Sequence, residues 1–168
     1  MINSAILKRR SVRAFTDQAV SKGQILEIIK AAQFSPSAFN NRSWEFIVLE
    51  DQVDKDKLFD LISPKTKQDF IKTAPVILIP VIDNQKSPLP NQDLSIAISN
   101  IFIQAAELGL GSVWKNILPE EAVLIKTAFG IPDNFTLLTV LPIGYPAQEL
   151  APHNDTEFDT TKIHLKQW

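Results

Sequence analysis

The chain has 168 residues, 45% of them apolar and 21% charged, with a formal net charge of −2 and no cysteine. This is the length of one domain with enough apolar material for a core, and its near-neutral balance excludes a whole-molecule field that would attract nucleic acid or an anionic membrane. The missing thiols exclude cysteine nucleophiles, redox disulfides, iron–sulfur clusters and the common structural zinc sites.

Met1 to Arg10 carries only scattered apolar residues, neither a signal-peptide core nor a membrane span, and the longest apolar stretch, Ala74 to Ile82, is strand length and holds two prolines. The expectation is a soluble, cytoplasmic protein. In chain order, Ser4 to Lys8 reads as a short helix. Ser21 is a candidate N-cap for an amphipathic helix with Ile25, Ile28, Ile29 and Ala32 on one face, stopping before Pro36. Trp44 to Leu49 reads as a strand, Asp54 to Ile62 as a helix, and Val76 to Ile82, rich in β-branched residues, as a strand covered on both faces.

Asp93 to Leu108 confines its polar residues to two narrow stripes, Ser95 with Ser99 and Asn100 with Gln104 and Glu107. Such a helix is expected to be buried nearly all round, with a second copy of the chain covering part of it. Its apolar arc, Ile101 included, is the expected dimer face, and Gly109 and Gly111 end it. A short strand at Ser112 to Lys115, a helix at Glu120 to Phe129 and a core strand at Thr136 to Ile143 follow. The tail from Pro146 is polar except for Phe158, Ile163, Leu165 and Trp168, whose alternation suits an edge strand.

The densest chemistry is Arg9-Arg10-Ser11-Val12-Arg13. Guanidinium groups offer paired planar donors to phosphate, and a serine hydroxyl adds an uncharged one; a solvated basic end of a helix uses the same residues. Ser35-Pro36-Ser37-Ala38-Phe39-Asn40-Asn41 offers hydroxyls, amides and free N–H groups that suit a polar heterocycle or polyol chain, and equally a plain loop. No Gly-x-Ser-x-Gly elbow and no Gly-x-Gly-x-x-Gly turn is present. His153 and His164, the only histidines, make no persuasive metal pair.

Taken in order, Arg9 to Phe15, Ala31 to Asn40 with Trp44 to Val48, Asp93 to Gly111 with Val113-Trp114, and Ile143-Gly144-Tyr145-Pro146 resemble the nitroreductase family of FMN-dependent enzymes over Leu7 to Pro146. The resemblance implies a single α+β domain over 1–168: a mixed, mainly antiparallel sheet of about four strands flanked by helices, paired as a homodimer through Asp93 to Leu108. Residues 147–168 would be an extension that could pack on the partner subunit, with 162–168 crossing to its sheet.

It further implies FMN as tight cofactor and NAD(P)H as transient hydride donor, with no catalytic side chain and no metal. Arg9, Arg10 and Ser11 would bind the phosphate, and Arg13 would lie near the pyrimidine end, where a fixed cation favours the reduced ring. Pro36, Ser37, Ala38 and Asn40 would reach the partner's flavin, and Val113, Trp114, Lys115 and Asn116 would lie along the ring near N5. A tryptophan on a strand is also a common core residue.

Three departures stand out. Arg42 replaces an amide in the Asn-x-Gln-Pro-Trp pattern, here Asn40-Asn41-Arg42-Ser43-Trp44. The basic residues after Gly-Tyr-Pro give way to Ala151-Pro152-His153-Asn154-Asp155, with His153 a partial substitute and weaker phosphate binding the expected result. The connection from Asp83 to Gln92 is short where larger members insert helices.

The expected function is transfer of hydride from NAD(P)H to a small organic acceptor (nitroaromatic, quinone, flavin or similar) by a ping-pong mechanism, without nucleic-acid or membrane partners. The alternatives are a dimeric FMN-binding or sensing module with little turnover, and a helical dimer with no cofactor.

Overall fold

The computed structural model describes residues 2–168. Its order is α1 (Ser4–Lys8), α2 (Lys22–Gln33), a 3-10 turn at Ala38–Asn40, β1 (Trp44–Leu49), α3 (Gln52–Leu61), α4 (Phe70–Thr73), β2 (Val76–Asp83), α5 (Pro90–Glu107), β3 (Gly111–Ser112), β4 (Lys115–Asn116), α6 (Pro119–Phe129), β5 (Phe135–Leu137) and β6 (Thr139–Gly144). The sheet runs β1-β2-β6-β3, with β5 on β2 and β4 on β6. Every ladder is antiparallel, and one parallel bridge joins Ser11 to Ser112.

Strand β2 is buried along its whole length because both faces are covered. Val76, Leu78 and Ile82 point into a core with α2 and α5, while Ile77, Ile79 and Val81 point into a second core with α3, α4 and α6. This is the period-two alternation of a strand sandwiched between helical layers. Helix α2 starts at Ser21 through a capping box: the Gln24 N–H donates to Ser21 Oγ at 3.2 Å and the Ser21 N–H to Gln24 Oε1 at 3.0 Å. Helix α5 starts three residues earlier than its apolar pattern suggests, because Pro90 is preorganised for a first helical position.

The expected strand Ser112 to Lys115 is two short pairings. Both β3 and β4 keep one register against β6, and that register puts Pro142 opposite Val113. Proline has no N–H to give, so the ladder breaks there. The expected strand Thr136 to Ile143 is also divided. Between the pairs Val81↔Leu137 and Leu78↔Leu141, three steps along β2 answer four along its partner, which is one inserted residue near Leu138. Helix α4 was not anticipated, since four residues carry no periodic signal.

Two further expectations are corrected. The tail forms no edge strand in the chain; it makes 3-10 turns at Asp155–Glu157 and Thr160–Lys162 and lies exposed. Ile101 is fully buried in the chain's own core, so it is no part of a dimer face. The exposed apolar residue of α5 is Ile96, at 41% exposure.

Candidate cofactor site

The arginine segment leaves α1 and is threaded between two strand ends. The Val12 N–H donates to the Ser112 carbonyl at 3.0 Å, the Thr16 N–H to the Tyr145 carbonyl at 2.9 Å and the Ala147 N–H to the Ala14 carbonyl at 2.9 Å. The extended backbone alternates its side chains: Val12 is buried, and Ser11 and Arg13 face outward. Gly111 permits this approach, because a Cβ there would overlap the Val12 side chain.

Three adjoining cavities follow the segment. One of about 590 Å³ is bordered by Lys8, Arg9 and Arg10 over an apolar floor that includes Phe102 and Leu110. A second, of about 240 Å³, lies at Ser11, Arg13, Gln148 and Leu150. A third, of about 350 Å³, is bounded by Arg13, Thr66, Gln68, Trp114, Lys115 and Asn116. Val113 lines none of the three; its side chain sits in the core shared with α3 and α6, leaving only its backbone to the site.

Lys115 is 4% exposed, and its Nζ donates to the Asn116 carbonyl at 2.6 Å. Burial pushes its ammonium down from the usual lysine range, with the charge of Glu121 acting in the opposite sense. Glu121, 1% exposed, accepts hydrogen bonds from the Leu118 N–H, the Ser63 N–H and the Thr66 hydroxyl. Burial alone would raise its carboxyl; those three donors and the Lys115 charge outweigh it and hold the group below the usual range. Thr66 therefore reaches the third cavity because Glu121 ties the 63–66 turn to α6. No local motif marks Thr66 or Gln68 in the sequence, since their placement depends on a partner more than fifty residues away.

His153 stands at the arginines. Its backbone N–H donates to the Leu7 carbonyl at 2.8 Å, and Arg9 Nη2 lies 3.1 Å from its Nε2. Arg10 Nη1 lies 3.2 Å from its Nδ1, and that nitrogen is 2.6 Å from Glu157 Oε2, so a guanidinium approaches each ring nitrogen and the Glu157 carboxylate shares one of them. Arg10 Nη1 is 3.8 Å from the other Glu157 oxygen. The His153 hydrogen bond foremost, with the Asn154 N–H, the His153 and Arg10 charges, keeps the Glu157 carboxyl below the usual range despite some desolvation. Glu157 was not foreseen as part of this cluster.

The Pro36 to Asn40 loop lines none of the three cavities. Phe39, Asn40 and Arg42 have φ of 54°, 56° and 49°, the left-handed region that costs non-glycine residues about 1 kcal/mol or more each. Phe39 is 89% exposed. The donor set along the arginine segment changes in order from paired cations, through a hydroxyl, to a cation beside a cavity with an aromatic wall. That sequence suits a phosphate, a polyol and a heterocycle, and the residues present therefore fit FMN.

Known proteins resemble the chain over nearly its whole length. The model of the nitroreductase family matches residues 6–66 and 60–145. A protein of Methanothermobacter thermautotrophicus, provisionally named an NADH dehydrogenase/NAD(P)H nitroreductase, is 37% identical over 98% of this chain and 86% of its own. An FMN-dependent nitroreductase from Clostridium difficile R20291 superposes with a TM-score of 0.91 at 33% identity, over 98% of both chains. A structure from Desulfovibrio desulfuricans, provisionally called a nitroreductase and solved with FMN, gives 0.81 at 26% identity over 98% of this chain and 95% of its own. The chain belongs to the nitroreductase family.

Proposed function

We propose that the chain is an FMN-dependent oxidoreductase that passes hydride from NAD(P)H to a small organic acceptor in two half-reactions at one site. The observation that carries this reading is the run of cavities from Arg9 and Arg10, past Ser11, to Arg13 and the Trp114–Asn116 wall. Arg9, Arg10 and Ser11 hold the phosphate, with His153 nearby. Arg13 supplies a cation at the pyrimidine end, and Trp114, Lys115 and Asn116, with the Val113 backbone, line the ring. Bound FMN supplies the hydride-accepting and hydride-donating chemistry, so no side chain has to act as a nucleophile.

A second copy completes the site. Pro36, Ser37, Ala38 and Asn40 reach the partner's flavin, which accounts for a loop that lines no cavity of its own chain while presenting an exposed Phe39. The exposed apolar residues Ile6, Leu89 and Ile96 mark the covered face, and residues 147–168 extend onto the partner. Among the described residues no helix is long and apolar enough to cross a membrane.

The test is flavin content. Replacing Arg9 and Arg10 with Ala should give a folded protein that purifies without flavin absorbance; unchanged flavin content would refute the phosphate assignment. Steady NAD(P)H oxidation by the wild-type protein with menadione or a nitroaromatic separates the enzyme from a flavin-binding module with little turnover.

A further inference from the structure

Asp93, in the first turn of α5, is 3% exposed, and its carboxylate has two distinct tasks. Oδ1 accepts the backbone N–H of Ala38 at 3.0 Å, and Oδ2 accepts the Ser87 hydroxyl at 2.7 Å. Ser87 Oγ in turn accepts the Leu89 N–H at 3.1 Å, which fixes the hydroxyl where α5 begins. The Ala38 N–H lies at the start of the left-handed stretch containing Phe39, Asn40 and Arg42. Two weaker ties accompany it: the Arg42 N–H donates to Ser37 Oγ at 3.0 Å, and the Asn41 side chain donates to the Lys86 carbonyl.

A loop with three non-glycine residues at positive φ does not keep that shape unaided. Among the described contacts, the Asp93 carboxylate is the charged, buried acceptor that binds it to the core, and charge-assisted hydrogen bonds are the stronger kind. The short 83–92 connection supplies Ser87 and Lys86 and so becomes the frame of the loop.

We propose that Asp93 is a positioning residue: through Ala38 and Ser87 it holds residues 37–42 in the one conformation that completes the flavin site of the partner subunit. The inference rests on the FMN reading above and adds the residue on which that shared site depends. Asp93 itself lines none of the three cavities along the arginine segment.

The experiment compares wild type, Asp93→Ala and Asp93→Asn by FMN titration and by amide hydrogen exchange at Ala38. Asparagine keeps a carbonyl oxygen for the Ala38 N–H but loses the charge, and its amide takes the place of the acceptor of the Ser87 proton, so it should fall between wild type and alanine in both readouts. Alanine should accelerate exchange at Ala38 and weaken FMN binding by about tenfold or more. An Asp93→Ala protein with wild-type FMN affinity would overturn the proposal, as would an Asp93→Ala protein with unchanged exchange at Ala38. If Asp93→Ala does not fold, Ser87→Ala removes one half of the clamp and should shift both readouts in the same direction by a smaller factor; no shift overturns the proposal. Wild-type protein that binds no FMN at all would instead sink the cofactor reading, while the exchange data would still report whether Asp93 holds the loop.

Discussion

At Arg10, a carboxylate of the chain competes for the cation that a phosphate would need. Glu157 is kept ionised at neutral pH by the His153 hydrogen bond and lies 3.8 Å from Arg10, so phosphate entering there meets a like charge. Glu157→Gln is therefore expected to tighten FMN binding severalfold, read by quenching of flavin fluorescence on titration; equal or weaker binding would mean that the carboxylate yields without cost. Arg9, Arg10, Ser11 and Arg13 were legible in the sequence because they are contiguous and chemically distinctive. Glu157 was not, for its role exists only once a turn of the tail brings it beside residues almost 150 positions earlier. Val113 shows the opposite limit: its place in a family-like motif was visible, but the alternation that turns its side chain into the core was hidden by the break opposite Pro142.

Among the elements, the boundaries set by local signals came through closely. Helix α1 and strand β1 have the expected ends, and Ser21 caps α2 as its pattern implies. Elements shaped by a neighbour came through less well: β3 and β4 were read as one strand that a proline in β6 breaks, and β5 and β6 as one strand that an inserted residue divides. Glu121 predicts a pH dependence. Its folded-state carboxyl is depressed below the unfolded value, so its stabilisation is fully present above the usual glutamate range and is lost as pH falls through the folded value. Glu121→Gln should lower stability at neutral pH by on the order of 1–3 kcal/mol, since an amide group would face N–H donors in a buried place. It should also flatten the acid limb of a denaturation series; an unchanged acid limb would show that other carboxylates set it.

For the whole molecule, a two-sided sheet was readable from the apolar run Val76 to Ile82 in β2, but the expected dimer face included Ile101, which the chain's own core covers. A long apolar arc does not say which part meets the chain's own sheet and which meets a partner. In the chain Ile101 has no exposed surface, whereas Ile96 is 41% exposed and Leu89, just before α5, is 48% exposed, so these two are the residues left for a partner. An aspartate at Ile101 would bury a charge among apolar neighbours and unfold the chain, telling nothing about assembly. At Ile96 the same charge stays in water in an isolated chain and becomes costly only when a second copy covers it. Ile96→Asp should therefore leave a folded monomer by sedimentation, with normal helical signal. On the proposed shared site, in which each flavin takes its 36–40 loop from the other copy, that monomer should also lose FMN, and a flavin-loaded dimer of Ile96→Asp would show that the two copies meet through a different surface.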